Sequence, residues 1–145
     1  MIRSIDVSAM LRQAVQGYAD LVTRPTGRLV RERIEQAIGT DTSPSVARMD
    51  FSGVRCIDYS CADEIVAKLL RERIHVLVLR GLSDGHLEAL GPVLEGHGLA
   101  VLYEQDDGTL APLGRRETAD ALLEELVTLR LAAPTAGGRL ALMPA

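Results

Sequence analysis

Apolar residues fall either in short continuous runs or at helical spacing along the chain. The runs typical of buried strands are 18–23, 46–51, 74–79 and 99–103. The spacing of apolar residues predicts helices at about 29–38, 61–72 and 117–131. Because strands and helices alternate, we expect a single-domain α/β fold, in which right-handed crossovers cover a mixed, mostly parallel sheet.

Residues that favour turns and helix ends divide these elements. Thr40–Pro44 is a turn-rich loop, and Ser83 or Asp84 is a candidate cap for a further helix. Pro92 predicts a break or kink in that helix. Asp106-Asp107-Gly108 predicts a hairpin turn into a short edge strand at about 109–113.

The two ends of the chain are less regular. Residues 1–17 fit either a short strand running into a helical turn or an amphipathic helix from about Ser8. Residues 18–131 hold the predicted domain. The segment 132–145 contains Pro and Gly, which favours a mobile tail, although its apolar residues 140–143 could dock against the domain.

The region 49–66 predicts a strand, a loop and the start of a helix. Ser60 occupies a position suited to a helix N-cap, and Asp63 and Glu64 follow in the first turn, close to a capping box. Backbone N–H groups and the helix dipole favour negative charge at a helix start. A phosphate on Ser60 would therefore meet a favourable field.

The same region carries a resemblance to a known family. Asp-Phe-Ser-Gly-Val at 50–54, followed by Ile57, Ser60 and Ala-Asp-Glu at 62–64, resembles the central motif of the STAS-like proteins, a family of small bacterial proteins. Asp58-x-Ser60 also resembles the signature loop of STAS domains, the fold of bacterial anti-sigma factor antagonists. The resemblance spans roughly residues 20–130.

The resemblance implies roles for particular residues. In the antagonists the motif is Asp-Ser/Thr-Ser-Gly-Leu, and a partner anti-sigma kinase phosphorylates its second hydroxyl residue. Asp58 then matches the motif Asp and Ser60 matches the phosphoacceptor, while Tyr59 replaces a hydroxyl residue and Cys61 replaces Gly. The resemblance implies a non-catalytic regulatory module. Its candidate partner-binding residues are Asp58, Tyr59, Cys61, Asp63 and Glu64.

The overall composition excludes some classes of function. Among 145 residues the net charge is −4, which disfavours nucleic-acid binding. No apolar run is long enough for a transmembrane segment, and the N-terminus lacks a signal-peptide pattern, so we expect a cytoplasmic protein. Two cysteines, Cys56 and Cys61, do not suggest a disulfide framework.

Several residues in this region allow more than one interpretation. Asp58 either braces the loop by an Asx-type bond, which we favour, or helps to position the Ser60 hydroxyl or a metal ion bound by a kinase. Asp63 and Glu64 are either acids on a solvated face or charges that would repel a phosphate on Ser60. Cys61 is either an inert small residue or, at a helix start, a thiol of lowered pKa suited to redox sensing.

Other chemistry has weaker signals. The turn containing Thr23, Arg24, Thr26 and Arg28 could hold an anion, but a segment of solvated arginines explains it as well. Two cysteines and three scattered histidines lack the spacing of a metal site, so we expect no metal. No catalytic constellation and no cofactor motif is present in the sequence.

Three hypotheses about function remain open. The first is a phosphorylation-regulated module whose partner is an anti-sigma factor or a histidine-kinase-type ATPase. The second is an assembly subunit without a phosphoswitch, such as the STAS partner of a transporter ATPase or a homo-oligomeric scaffold. The third is a small-ligand or thiol sensor built on Cys61 and the turn at 23–28.

Overall fold

The computed structural model describes residues 2–39 and 46–144. Its main sheet has five strands in the order β1-β3-β5-β6-β7, and β7 alone runs antiparallel to its neighbour. The strands of this sheet are β1 Arg3–Asp6, β3 Val46–Asp50, β5 Val76–Arg80, β6 Ala100–Glu104 and β7 Leu110–Gly114. The expected α/β fold with a mostly parallel sheet is confirmed.

Two small sheets accompany the main one. A parallel pair joins β2 Asp20–Leu21 to β4 Cys56–Ile57, and an antiparallel hairpin joins β8 Ala132–Pro134 to β9 Leu140–Leu142. The first pair brings the chain before Arg24 beside the loop before Tyr59. This pairing positions the candidate site.

Helices connect the strands and cover both faces of the main sheet. Residues 59–72 form one continuous helix, made of α3 Tyr59–Cys61, a π-helical segment Ala62–Ala67 and α4 Lys68–Glu72. The remaining helices are α1 Val7–Ala14, α2 Arg24–Ile38, α5 Asp84–Gly96 and α6 Arg116–Thr128.

The strand order explains why the helices divide unequally between the faces. Each parallel crossover moves in the same direction across the sheet, so right-handed connections place their helices on one face. Alternate strand residues accordingly enter two apolar cores. Met49, Leu77 and Leu79 pack on the crossover side, whereas Val76 and Val78 belong to the core that contains buried residues of α6.

The structure resolves the predictions for the N-terminal half. The first of the two alternatives for residues 1–17, a strand followed by a helix, matches β1 and α1. Helix α2 starts at Arg24 rather than near residue 29, because Pro25 suits the first turn of a helix. The segment 23–28, expected to be a turn, is therefore helical from Arg24 onward. The loop Thr40–Pro44 lies outside the described residues.

In the C-terminal half the hairpin turn at 106–108 and the following strand are confirmed. The break expected at Pro92 is wrong, because α5 continues through this exposed proline. The tail, for which mobility was the expectation, instead forms the β8–β9 hairpin. Ala132 joins the core that contains buried residues of α6, and Gly138 supplies a left-handed turn residue.

Candidate functional site

One carboxylate joins the beginnings of two helices. Asp58 is the N-cap of the helix 59–72, and its Oδ1 accepts a hydrogen bond from the backbone N–H of Cys61 at 2.8 Å. Its Oδ2 accepts a bond from the backbone N–H of Thr23 at 3.0 Å, and Thr23 is the N-cap residue of α2. We call the group Thr23, Asp58, Ser60 and Cys61 the Asp58 joint.

The charge of Asp58 is favoured at this position. Burial alone would raise the pKa of Asp58, but hydrogen bonds from the amides of Cys61 and Thr23 and from the hydroxyl of Ser60 lower it below its ordinary value. Two helix N-termini also point their partial positive charge toward this carboxylate. The joint is thus held by an ionised group at neutral pH.

Ser60 lies inside the helix rather than at its cap, so the N-cap prediction for Ser60 is wrong. Asp58, two residues earlier, takes the cap because its backbone is extended and its carboxylate reaches Cys61. The half-buried Ser60 hydroxyl donates to Asp58 Oδ1 at 2.7 Å. Both interpretations of Asp58 therefore hold: it caps the helix and it orients the Ser60 hydroxyl.

The backbone of Thr23 has a strained conformation. Its φ of 68° lies in the region that favours glycine, and a β-branched residue there costs about 1–3 kcal/mol. Asp58 holds the N–H of Thr23, and the Cys61 thiol lies 3.1 Å from the Thr23 carbonyl oxygen, which it can bond as a donor. Residues at the start of the helix 59–72 thus form hydrogen bonds with both the backbone N–H and the backbone carbonyl of the strained Thr23.

Cys61 is buried inside the Asp58 joint. Its side chain is buried, and burial together with the nearby charge of Asp58 raises the pKa of the Cys61 thiol to about 12. Of the two interpretations of Cys61, the favoured inert residue beside the core fits this burial, and the thiol of lowered pKa does not. Cys61 is also too buried to contact a partner, which corrects its assignment as a partner-binding residue.

Tyr59 is the most accessible member of the predicted partner surface. Its side chain is 62% exposed, whereas Asp58 and Ser60 beside it are half-buried. An exposed aromatic residue next to polar groups is typical of protein interaction surfaces. Of the predicted partner-binding residues, Tyr59 is exposed, while Asp58 and Asp63 are half-buried.

Glu64 is buried, although the sequence analysis assigned it to the partner surface. Its side chain is 1% exposed, and its carboxylate lies 2.9 Å from Arg24, 3.2 Å from Arg31 and 3.0 Å from Lys68. Burial would raise the pKa of Glu64, but these three cations lower it. The partner-surface assignment is wrong because α2 places its arginines over this carboxylate.

Asp63 completes this ionic network at its more exposed side. Its two carboxylate oxygens lie 2.8 Å from Arg24 and 2.8 Å from His97 Nε2. Burial raises the pKa of Asp63, while the bonds from Arg24 and His97 lower it to a net value below its ordinary one. Asp63 therefore links the helix 59–72 to both α2 and the end of α5.

Close helix packing brings these groups together. A Cβ at Gly27 would lie 3.1 Å from Cys61 Sγ and 3.2 Å from Glu64 Cβ, so glycine allows α2 to approach the helix 59–72. Residues 62–67 form the π-helical segment that contains Glu64. Such segments often occur at functional positions.

The structure places the predicted anion-binding residues in other roles. Arg24 is paired with Asp63 and Glu64, and Thr26 is buried, where its hydroxyl oxygen accepts a bond from Thr23. Arg28 is exposed on α2. Because carboxylates of the same chain already surround Arg24, these residues do not form an open anion site.

The Asp-x-Ser arrangement, which sequence reasoning missed as a repeated pattern, occurs three times within the described residues, and a fourth unit, Asp41-Thr42-Ser43, lies outside them. Ser8 donates to Asp6 at 2.8 Å and Ser52 donates to Asp50 at 2.5 Å, as Ser60 does to Asp58. Only the Asp58 carboxylate also bonds to a second helix. The spacing in the sequence was a visible signal, but the difference between the three units depends on the fold.

Within residues 2–39 and 46–144, no three His, Cys, Asp or Glu side chains are grouped as metal ligands would be. Over the same residues, every helix is too short or too polar to cross a membrane.

Comparisons with protein-family models, with curated proteins and with solved structures gave no match to this chain.

Proposed function

We propose that this protein is a non-catalytic regulatory module that binds a protein partner next to Tyr59, and that phosphorylation of Ser60 weakens this binding. The observation that carries the proposal is the double role of Asp58. The same carboxylate accepts one hydrogen bond from the Ser60 hydroxyl at 2.7 Å and another from the backbone N–H of Thr23, the strained residue at the start of α2. A change at Ser60 is therefore coupled to the contact between two helices.

The mechanism needs only local electrostatics. A phosphate on Ser60 would replace the hydroxyl proton that now forms the hydrogen bond to Asp58 and would add about −1.5 to −2 charges beside an ionised carboxylate. The repulsion would weaken the bond from Thr23 to Asp58 and allow the strained backbone of Thr23 to relax. The surface next to Tyr59 would then change shape and become more negative, which disfavours a partner bound to the unmodified form.

The partner class rests on the resemblance of Asp58-x-Ser60 to the phosphorylated loop of STAS domains. It favours an anti-sigma factor or a histidine-kinase-type ATPase, which would both bind the module and supply the phosphate. The covalent step would transfer the γ-phosphoryl group of ATP to Ser60 Oγ, with ADP leaving and the hydroxyl proton passing to a base of the kinase.

A binding experiment with matched variants tests the proposal. Immobilised wild type, Ser60→Ala and Ser60→Asp are exposed to lysate of the native host, and Ser52→Asp serves as the control. Ser52 belongs to a similar Asp-x-Ser unit but contacts no second helix through it. We expect Ser60→Ala and Ser52→Asp to recover the partner as wild type does and Ser60→Asp to recover less. Equal recovery by all four would contradict the switch.

The assembly-subunit hypothesis is the second candidate, and one observation favours it. The Ser60 hydroxyl is half-buried and already hydrogen-bonded, so a kinase would need to displace Asp58 to reach it. This hypothesis predicts a stable complex whose amount is indifferent to ATP and to every substitution at Ser60. The same four-protein experiment, repeated with and without ATP, distinguishes the two candidates.

A further inference from the structure

A groove lies on the face of the sheet that α6 covers, away from the Asp58 joint. A cavity of about 380 Å³ opens between β7, α6 and the β8–β9 hairpin. Leu110, Pro112, Leu123 and Leu140 form much of its lining. A cavity of this size, mostly apolar with a few polar groups, is typical of small-molecule sites.

A neighbouring cavity extends the groove along α6. It measures about 390 Å³ and shares Leu123 and Leu140 with the first cavity. Val127, which is 42% exposed, lines its far part together with Glu124. From Arg116 to Val127 the helix rises about 16 Å, at 1.5 Å per residue. The groove is therefore elongated, with the apolar side chains of Leu123 and Leu140 at its centre.

The two ends of the groove differ in charge. Arg116 and Arg139 line the first cavity with Gln105, which accepts a bond from Arg139 at 3.5 Å. Arg116 pairs with Asp120 through Nε alone, and both side chains are well exposed, so this pair holds the guanidinium weakly. Among the described residues Arg139 has no ion pair within 4.0 Å. The cationic end thus has hydrogen-bond donors to offer an anion.

The edge of β7 disfavours a peptide strand as the occupant. Arg115 N–H bonds to the Leu99 carbonyl and Gln105 N–H bonds to the Thr109 carbonyl, so odd-numbered residues of this strand pair with β6. Near Thr109 this edge meets β9 through an isolated antiparallel bridge to Ala141, and beyond that bridge the backbone of Pro112 faces outward. Since proline has no N–H to donate, an added strand would lose a bond at the centre of β7. The groove is better suited to a small ligand.

We propose that this groove binds a small amphipathic carboxylate, with the carboxylate between Arg116 and Arg139 and the aliphatic chain along Leu123 and Leu140 toward Val127. The apolar length matches an unbranched chain, and the two guanidinium groups that line the same cavity match one terminal carboxylate. Glu124 at the far end disfavours a second negative charge there. This site is independent of Ser60 and of the proposed switch.

The test is a titration of the full chain with decanoate below its micelle concentration, followed by methyl NMR. We expect shifts of the methyl signals of Leu110, Leu123 and Leu140, and weaker binding of decanol, which lacks the charge. The double substitution Arg116→Gln/Arg139→Gln should weaken decanoate binding about 10-fold or more. Val127→Glu, at an exposed position, should also weaken it.

The double substitution Arg28→Gln/Arg33→Gln is the control, because it removes two exposed arginines from α2 and changes the net charge equally. It should bind decanoate as wild type does. The proposal is overturned if decanoate causes no shifts, if decanol binds as tightly, if the shifts map elsewhere, or if both double variants weaken binding equally. Ser60→Asp should bind decanoate normally, so this outcome does not depend on the proposed function.

Discussion

The joint between the two helices predicts an unusually large cost for the substitution Asp58→Ala. Removing this carboxylate deletes the acceptor of three hydrogen bonds, from the Cys61 amide at 2.8 Å, the Ser60 hydroxyl at 2.7 Å and the Thr23 amide at 3.0 Å. An ordinary N-cap contributes about 1 kcal/mol. The bond to Thr23 belongs to a different helix and adds about 1–2 kcal/mol, because its acceptor is charged.

The sum is about 2–3 kcal/mol of lost unfolding free energy. At about 3 °C per kcal/mol for a domain of this size, the melting temperature should fall by about 6–9 °C. Asp58→Asn should cost less, about 1–2 kcal/mol, because the amide oxygen can still cap Cys61 while its NH₂ group cannot accept from Thr23. Ser83→Ala is the matched control, since Ser83 caps α5 alone.

The pH dependence of the difference follows from the lowered pKa of Asp58. A carboxyl group whose pKa is lower in the folded than in the unfolded state stabilises the fold above its unfolded pKa. That contribution is lost as pH falls through the folded pKa, which lies below the ordinary value of 3.8. The gap between wild type and Asp58→Asn should therefore be constant from about pH 5 to 7 and shrink below pH 3.8.

Urea unfolding followed by far-UV circular dichroism measures these differences directly. At pH 7 we expect Asp58→Ala to lose two to three times as much free energy as Ser83→Ala. A loss no larger than that of the control would refute the claim that one carboxylate joins two helices. A difference between wild type and Asp58→Asn that stays constant down to pH 2 would contradict the ionised state.

Three further predictions concern the neighbouring contacts. Glu64→Gln should lower the free energy of unfolding by about 3 kcal/mol, because it removes a buried negative charge from three cations. The control is Glu72→Gln on the exposed face of the same helix, which should change the free energy of unfolding by less than about 0.5 kcal/mol. Gly27→Ala should destabilise the fold by about 1–3 kcal/mol, because the added methyl group would overpack the contact between the two helices. Gly91→Ala, whose Cβ would have an ordinary 3.5 Å contact, should be neutral or stabilising. Thermal unfolding of both variants tests this difference. Iodoacetamide at pH 8 should leave Cys61 unmodified in the native protein and alkylate it in urea, as mass spectrometry of peptides can show, and rapid native labelling would contradict its burial.

The main strands could be predicted because their apolar runs are local signals. The run 74–79 consists almost entirely of aliphatic residues, and β5 occupies most of it with both faces buried. The hairpin turn at 106–108 was predictable for the same reason, since Gly108 adopts the left-handed conformation that such turns use. In both cases the residues that determine the structure lie next to one another in the sequence.

The candidate site depended on contacts between distant residues. Asp58 and Ser60 are both good cap residues, and the additional bond that Asp58 accepts comes from Thr23, which lies 35 residues before it. Glu64 was expected at the surface because a lone carboxylate is costly to bury, but Arg24 and Arg31 come from α2 to pair with it. The spacing of apolar and polar residues within one segment cannot predict ion pairs between residues that are distant in the sequence.

The tail was expected to be mobile, whereas in the structure it forms an ordered hairpin. Pro134 and the glycines at 137 and 138 suggested mobility, but such residues also form tight turns, and here they lie in or beside the turn between β8 and β9. The hairpin is fixed by apolar packing of Ala132 and Leu140 against the core that contains α6. Proline and glycine therefore mark the end of an ordered segment in some proteins and form the turn of a hairpin in others, as they do here.

The most direct test of the proposed switch is the modification state of Ser60 in the native host. Protein purified under several growth conditions is weighed intact, and any added phosphate is located by peptide fragmentation. We expect a fraction of molecules that carries one phosphate, on Ser60, and whose amount varies with growth condition. Protein that is unmodified under every condition, or phosphorylated at Ser52 instead, would contradict the account and leave Ser60 as a hydrogen-bond donor to the Asp58 joint.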